Sequence, residues 1–148
     1  PLSAAQLDEL FALRLAIEPQ AAAHAASRAG DAERRAAAEA FERLDQAAGG
    51  NRSEVAVRNR EFHVALVCNA DRMLTVQLVE RLSILAERYV VAHLEPAGRE
   101  TRAHQEHREL LDAYLARDGN RLEALLAGHI QATLDDLKTE LGAADAAA

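Results

Sequence analysis

The stretch TRAHQEHRELLDAYLARDGNRLEALLAGHIQATLDDL, residues 101–137, decides the fold. Leu110, Leu111 and Tyr114 fall on one stripe at helical spacing. Leu122, Leu125, Leu126, Ile130 and Leu137 fall on another. Between them Asp118-Gly119 reads as a turn, with Asn120 as the cap of the second helix. His107 aligns with the first stripe and His129 with the second, so both face inward. The midpoint of the interval between them is Asp118, in the turn itself. Each ring is then roughly 16 Å from the turn at about 1.5 Å per residue. Folding the hairpin there brings the two imidazoles to one height, a coincidence that packing alone does not require.

The same periodicity extends upstream. Ser3 with Gln6 reads as a capping box, followed by Leu7, Leu10, Ile17 and Ala21 on one face. Pro19 interrupts that run and predicts a kink or a fresh start. Asp31 is positioned to cap an Ala-rich helix that ends at Gly49-Gly50, and Ser53 to open one carrying Val55, Phe62, Leu66 and Val67. Asp71 is expected to cap a long helix with Leu74, Leu78, Leu82, Leu85 and Tyr89 inward, stopped before Pro96. The segment from Leu94 to Thr101, with Pro96 and Gly98, is the least regular and reads as a flap. The tail from Gly142 is small and polar and is expected to fray. No strand pattern, repeat or linker interrupts the series. The expectation is one all-α domain over residues 1–148, an antiparallel bundle of six to seven helices.

Composition narrows the function. At 148 residues, with 49% hydrophobic and 3% aromatic residues, the chain has enough apolar content for a core. A formal charge of −7 and the lack of any basic stretch argue against direct nucleic-acid binding. The single Cys68 forms no internal disulfide, suits a reducing cytoplasmic setting, and reads as a small core residue. No run approaches the roughly 18–20 apolar residues of a membrane span.

Function in a bundle is read from polar residues that interrupt apolar stripes. Asn59 and His63 are spaced i, i+4 on the face that carries Val55, Phe62 and Leu66. One helix can offer two ligands to one metal in this way. A single inward histidine is usually a hydrogen-bonded core residue. Two that meet across a hairpin, with an Asn/His pair on a third helix, favour a divalent metal, because burying unpartnered imidazoles costs several kcal/mol. His104 is a substitute ligand, while His24 and His93 read as surface or partly buried. Arg14 falls on an apolar stripe. It either pairs with an internal acid such as Glu18, snorkels to solvent, or grips a ligand carboxylate. Arg81 and Arg88, a heptad apart, are second-rank candidates for the same task and read first as surface or rim residues.

Together these residues resemble one family. Glu9 to Pro19 (ELFALRLAIEP) is similar to the opening helix of the FCD domain, the effector-binding half of many GntR-type bacterial transcription regulators. Asn59 to Leu66 (NREFHVAL) resembles that family's D/N-x-x-F-H-x-x-L motif, and Glu106 to Leu111 followed by His129 resembles its closing helices. The resemblance runs from about Ser3 to Leu141. It implies an antiparallel bundle and a metal held by one Asp and three His, at the positions of Asn59, His63, His107 and His129. It implies Zn first, with Ni, Fe or Mn as alternatives, a small organic acid as effector, and a homodimer. DNA would be reached only through an N-terminal winged helix-turn-helix that this chain does not contain. Asn59 departs from the commoner Asp. Its neutral oxygen leaves the ion's charge uncompensated, which favours an acidic effector.

The expected function is therefore a sensor and not an enzyme. The rivals are a metal-dependent helical-bundle hydrolase or transferase, a metal-free acyl-coenzyme A sensor, and a bare dimerisation module with structural histidines. An enzyme would need a general base beside the metal, and Glu61 and Glu106 are expected to point away from it.

Overall fold

Ser3 opens the first helix as its pattern predicts. Its Oγ accepts the Gln6 N–H at 3.1 Å, and its own N–H donates to Gln6 Oε1 at 3.1 Å. The structure is a computed structural model that describes residues 3–93 and 99–148, with side chains over 3–91 and 101–148. Six α-helices follow one another: α1 (Ala4–Arg28), α2 (Asp31–Ala47), α3 (Arg52–Val67), α4 (Met73–His93), α5 (Arg99–Leu115) and α6 (Gly119–Ala147). A 3-10 turn, Ala70–Arg72, leads into α4. Among the described residues there is no strand. The all-α bundle is thus as expected. The flap segment and the His93 side chain lie outside the described residues.

Helix α1 is the centre of the bundle, packing on α3, α4, α5 and α6. Its inner face buries Leu7, Leu10, Phe11, Ala22, Ala25 and Ala26. Pro19 neither breaks nor restarts it; the helix runs through, with Pro19 buried. Core contacts hold both flanks, and the Ala-rich stretch after it strongly favours helix, so tertiary packing overrides the local break. No helix among the described residues is long and apolar enough to cross a membrane.

Several helix starts differ from expectation by a residue or two. Gly30 is the N-cap of α2, Asn51 caps α3 through the N–H groups of Ser53 and Glu54, and Asn69 accepts from Asp71 N–H. Asp31, Ser53 and Asp71 instead occupy first-turn positions. Cys68 is exposed at the end of α3 and is not a core residue, because it lies past the last inward turn. After Gly142 the chain is exposed but stays helical to Ala147, as its alanines favour.

The largest correction concerns α4. Its buried side chains are Val76, Val79, Leu82, Ser83, Ala86 and Tyr89. Of the expected inward set only Leu82 and Tyr89 are buried; Leu74 is 84% exposed, Leu78 44% and Leu85 37%. Gln77, Glu80, Arg81 and Arg88 share one exposed face of this helix, the buried side chains lie opposite them, and Leu74, Leu78 and Leu85 fall on the flank between the two.

The α5–α6 turn sets the register of the deciding hairpin. Arg117 takes φ +57°, with its N–H on Tyr114 O and the Asp118 N–H on Ala113 O, each at 3.0 Å. Asp118, not Asn120, then caps α6 by accepting the Arg121 N–H at 3.1 Å. At Gly119 a Cβ would sit 3.0 Å from the Ala23 carbonyl oxygen of α1, tighter than most real Cβ contacts, so a side chain here would push the two helices apart by a few tenths of an ångström. Gly119→Val is therefore expected to cost about 1–3 kcal/mol, read as a lower urea midpoint. An unchanged midpoint would mean that the hairpin is not pinned here.

Candidate metal centre

Three helices each deliver one imidazole to the same point. Helix α3 brings His63, α5 His107 and α6 His129, all buried. One ring nitrogen from each lies within 4.8 Å of the others. His63 and His129 stack with centroids 5.1 Å apart, and His107 meets them edge-on at 5.3 and 4.7 Å. Phe62 packs against both His63 and His107. The level hairpin thus places His107 and His129 together as its midpoint predicts, and the i, i+4 face of α3 adds His63.

The donor set fits a divalent ion. His63 Nε2 faces His107 Nε2 at 3.4 Å. Two nitrogens bound to one tetrahedral ion at about 2.0–2.1 Å would stand about 3.3–3.4 Å apart. His63 Nδ1 is buried with no hydrogen-bond partner. Burial, then the neighbouring His129, His107 and Arg14, holds the His63 pKa well below 6.5. A neutral imidazole results, which is the form that ligates.

A pocket opens from the cluster. His63 and His129 line it together with Arg14, Asn59, Arg60, Ser83, Glu87 and Thr133, among others. Its cavity volume is about 40 Å³, room for roughly three waters. Asn59, half-buried one turn before His63, faces this space. Ser83 Oγ is buried with no hydrogen-bond partner. Arg14 also lines the pocket, but it is already paired: its Nε and Nη2 hold Glu18 at 2.8 and 3.2 Å. Arg60 from α3 similarly holds Glu87 of α4 at 2.7 Å.

Two expected effector residues are not here. Arg81 and Arg88 are exposed on the outer face of α4, because the register of that helix directs Ser83, Ala86, Glu87 and Val90 to the pocket instead. His104 does not join the cluster; it faces α2, 3.3 Å from Asp45. His24 is half-buried beside Arg28. Glu61 pairs with Arg58, whereas Glu106 turns toward His129 rather than away from the site.

Ser83, Glu87, Arg60 and Thr133 went unnoticed in the sequence, and Glu106 was expected to point away from the site. Thr133, at i+4 from His129, was legible as a polar break in the α6 stripe. Ser83 would have followed from a correct α4 register. Nothing local marks the α3–α4 pairing of Arg60 with Glu87.

Comparisons with known proteins agree with this geometry. Residues 9–132 match the FCD domain family. A similar protein is an uncharacterized HTH-type transcriptional regulator, BphR of Paraburkholderia xenovorans, 35% identical over 79 residues, which is 51% of this chain and 31% of that protein. The chain thus matches under a third of that relative's length. Escherichia coli McbR/YncC has a similar fold, with a TM-score of 0.81 at 23% identity over 94% of this chain and 71% of the other.

The buried imidazoles make metal-free stability depend on pH. Above pH 6.5 His63 is neutral both folded and unfolded. Below it the unfolded chain binds a proton that the folded state refuses. Stability is then lost downward from pH 6.5 to the depressed folded pKa, at up to about 1.4 kcal/mol per pH unit. In chelator, urea midpoints at pH 7.5 and 5.5 should therefore differ more for the wild type than for His63→Leu. Equal differences would place the titrating group elsewhere.

Proposed function

This chain belongs to the FCD domain family, and from that premise we propose that it is the ligand-sensing, dimerising part of a GntR-type transcription regulator. The observation that carries this reading is the three-imidazole cluster at the end of a small polar pocket. His63, His107 and His129 would hold a divalent ion, Zn before Ni, Fe or Mn, with the Asn59 amide oxygen as a further neutral ligand. When bound, the ion offers open coordination positions to a ligand oxygen.

The residues around the cluster specify what binds. Both pocket arginines are neutralised within the protein, Arg14 by Glu18 and Arg60 by Glu87. Neutral donors leave the charge of a bound cation uncompensated, so the ligand is an anion, a small carboxylate. Arg14 spends two of its five N–H donors on Glu18 and keeps others for that carboxylate. The small polar pocket beside the imidazoles suits a small acid.

Regulation requires that binding alter how two copies are arranged. The outer face of α4 offers the surface. Leu74, Leu78 and Leu85 lie along it with Arg81 and Arg88, and a second copy is the occupant this reading assigns to it. DNA would be contacted by another part of the whole regulator, as half-site spacing by a dimer requires.

Elemental analysis of untagged, unchelated protein is expected to find about one metal ion per chain, lost in His63→Ala. No metal in either protein after reloading would overturn the metal reading. Small carboxylates should raise the melting temperature of the loaded protein only, by about 2.7 kcal/mol of stabilisation at a hundred times Kd. For the interface, Leu78→Glu should yield a monomer in sedimentation while keeping its metal. A variant that remains dimeric would move the interface off α4.

A further inference from the structure

One polar group beside the cluster has no part in the pocket. Glu106 stands on α5 immediately before His107, yet its carboxylate reaches across to α6, with Oε2 3.4 Å from His129 Nδ1. Arg102, one turn earlier, meets Glu106 Oε1 through its Nε at 3.3 Å. The same guanidinium grips Asp136 of α6. One guanidinium thus contacts two carboxylates behind His129. Glu106 brings a carboxylate to His129. In front of the ring the situation is opposite, since the imidazoles and Asn59 offer no charge at all.

We infer that Glu106 is the positioning residue of this cluster, fixing the His129 ring from behind and supplying there the negative charge that Asn59 does not supply in front. This rests on the metal reading above. By accepting the His129 Nδ1–H, Glu106 selects the tautomer whose lone pair is on Nε2, available to the cluster. The carboxylate also makes that imidazole a stronger donor to a cation. Arg102 keeps Glu106 in place, and its guanidinium is shared with Asp136 instead of being given to Glu106 alone. Residue 59 and residue 106 therefore act on one quantity, the negative charge around the ion, from opposite sides of His129.

The test is the Zn²⁺ affinity of the whole chain at pH 7, measured by competition with a chromogenic chelator. Wild type, Glu106→Gln, Asn59→Asp and the double variant are compared, with metal-free melting temperatures alongside. Glu106→Gln is expected to weaken binding about 10–100-fold with little change in metal-free melting, since Gln keeps the size of the side chain. Adding Asn59→Asp should recover most of that loss, which a purely structural role for Glu106 would not allow. If Glu106→Gln binds Zn²⁺ within about twofold of wild type, the inference fails and the metal reading stands. A loss that Asn59→Asp does not recover also overturns it. If the wild type binds no Zn²⁺, the metal reading fails and carries this inference with it.

Discussion

Three imidazoles from three helices share one buried point, and the register of the bundle must respect that convergence. An imidazole removed from water needs partners for its nitrogens, and leaving several without them costs several kcal/mol. Here His63 Nδ1 has none, and His63 Nε2 faces His107 Nε2, nitrogen to nitrogen, at 3.4 Å. Packing alone would not select such an arrangement. Its maintenance falls to the elements around it. The Arg117 turn and the close approach of Gly119 to Ala23 fix α6 against α5 and α1. Phe62 lies against two of the rings, and Thr133 Oγ1 donates to the His129 carbonyl.

Charge is managed as carefully as shape. Arginines that enter the pocket arrive with their own carboxylates, one pair within α1 and the other joining α3 to α4. Buried charges are tolerated when paired and hydrogen-bonded, and breaking one such pair is far costlier than omitting it. The pocket wall is thus polar without being strongly charged. Behind His129 the Arg102 guanidinium is divided between Glu106 and Asp136, and Glu106 turns its carboxylate to the ring. A cation in the cluster would meet neutral ligands on the pocket side and an anion on the far side. The open side is then the place for an anionic ligand.

Helix α4 has two roles. Its inner face places Ser83 and Glu87 at the pocket, while its outer face exposes Leu74, Leu78 and Leu85. Both faces belong to one rigid element, so a ligand that draws on the inner residues also bears on the position of the outer ones. Within the proposed function, this is the shortest physical route from a bound acid to the arrangement of two subunits.

The sequence by itself determined the class of fold, the Ser3 cap, the deciding hairpin and the meeting of His107 with His129, each from short-range rules: helical periodicity, capping chemistry, and equal distances on either side of a turn. That His63 joins them was implied by the family resemblance, and the packing of α3 decides it. It even held both readings of Arg14, one of them the pairing with Glu18 a helical turn away. Only the tertiary structure decided the rest. Pro19 stays within a continuous helix because packing on both flanks outweighs a missing hydrogen bond. The inner face of α4 was missed because Leu74, Leu78 and Leu85 lie on its flank, between the charged residues and the buried ones, and packing left them outside; with that face went Ser83 and Glu87. Glu106 was misjudged for a related reason. Periodicity states which way a side chain leaves its own helix, but not how far a flexible carboxylate reaches toward the next one.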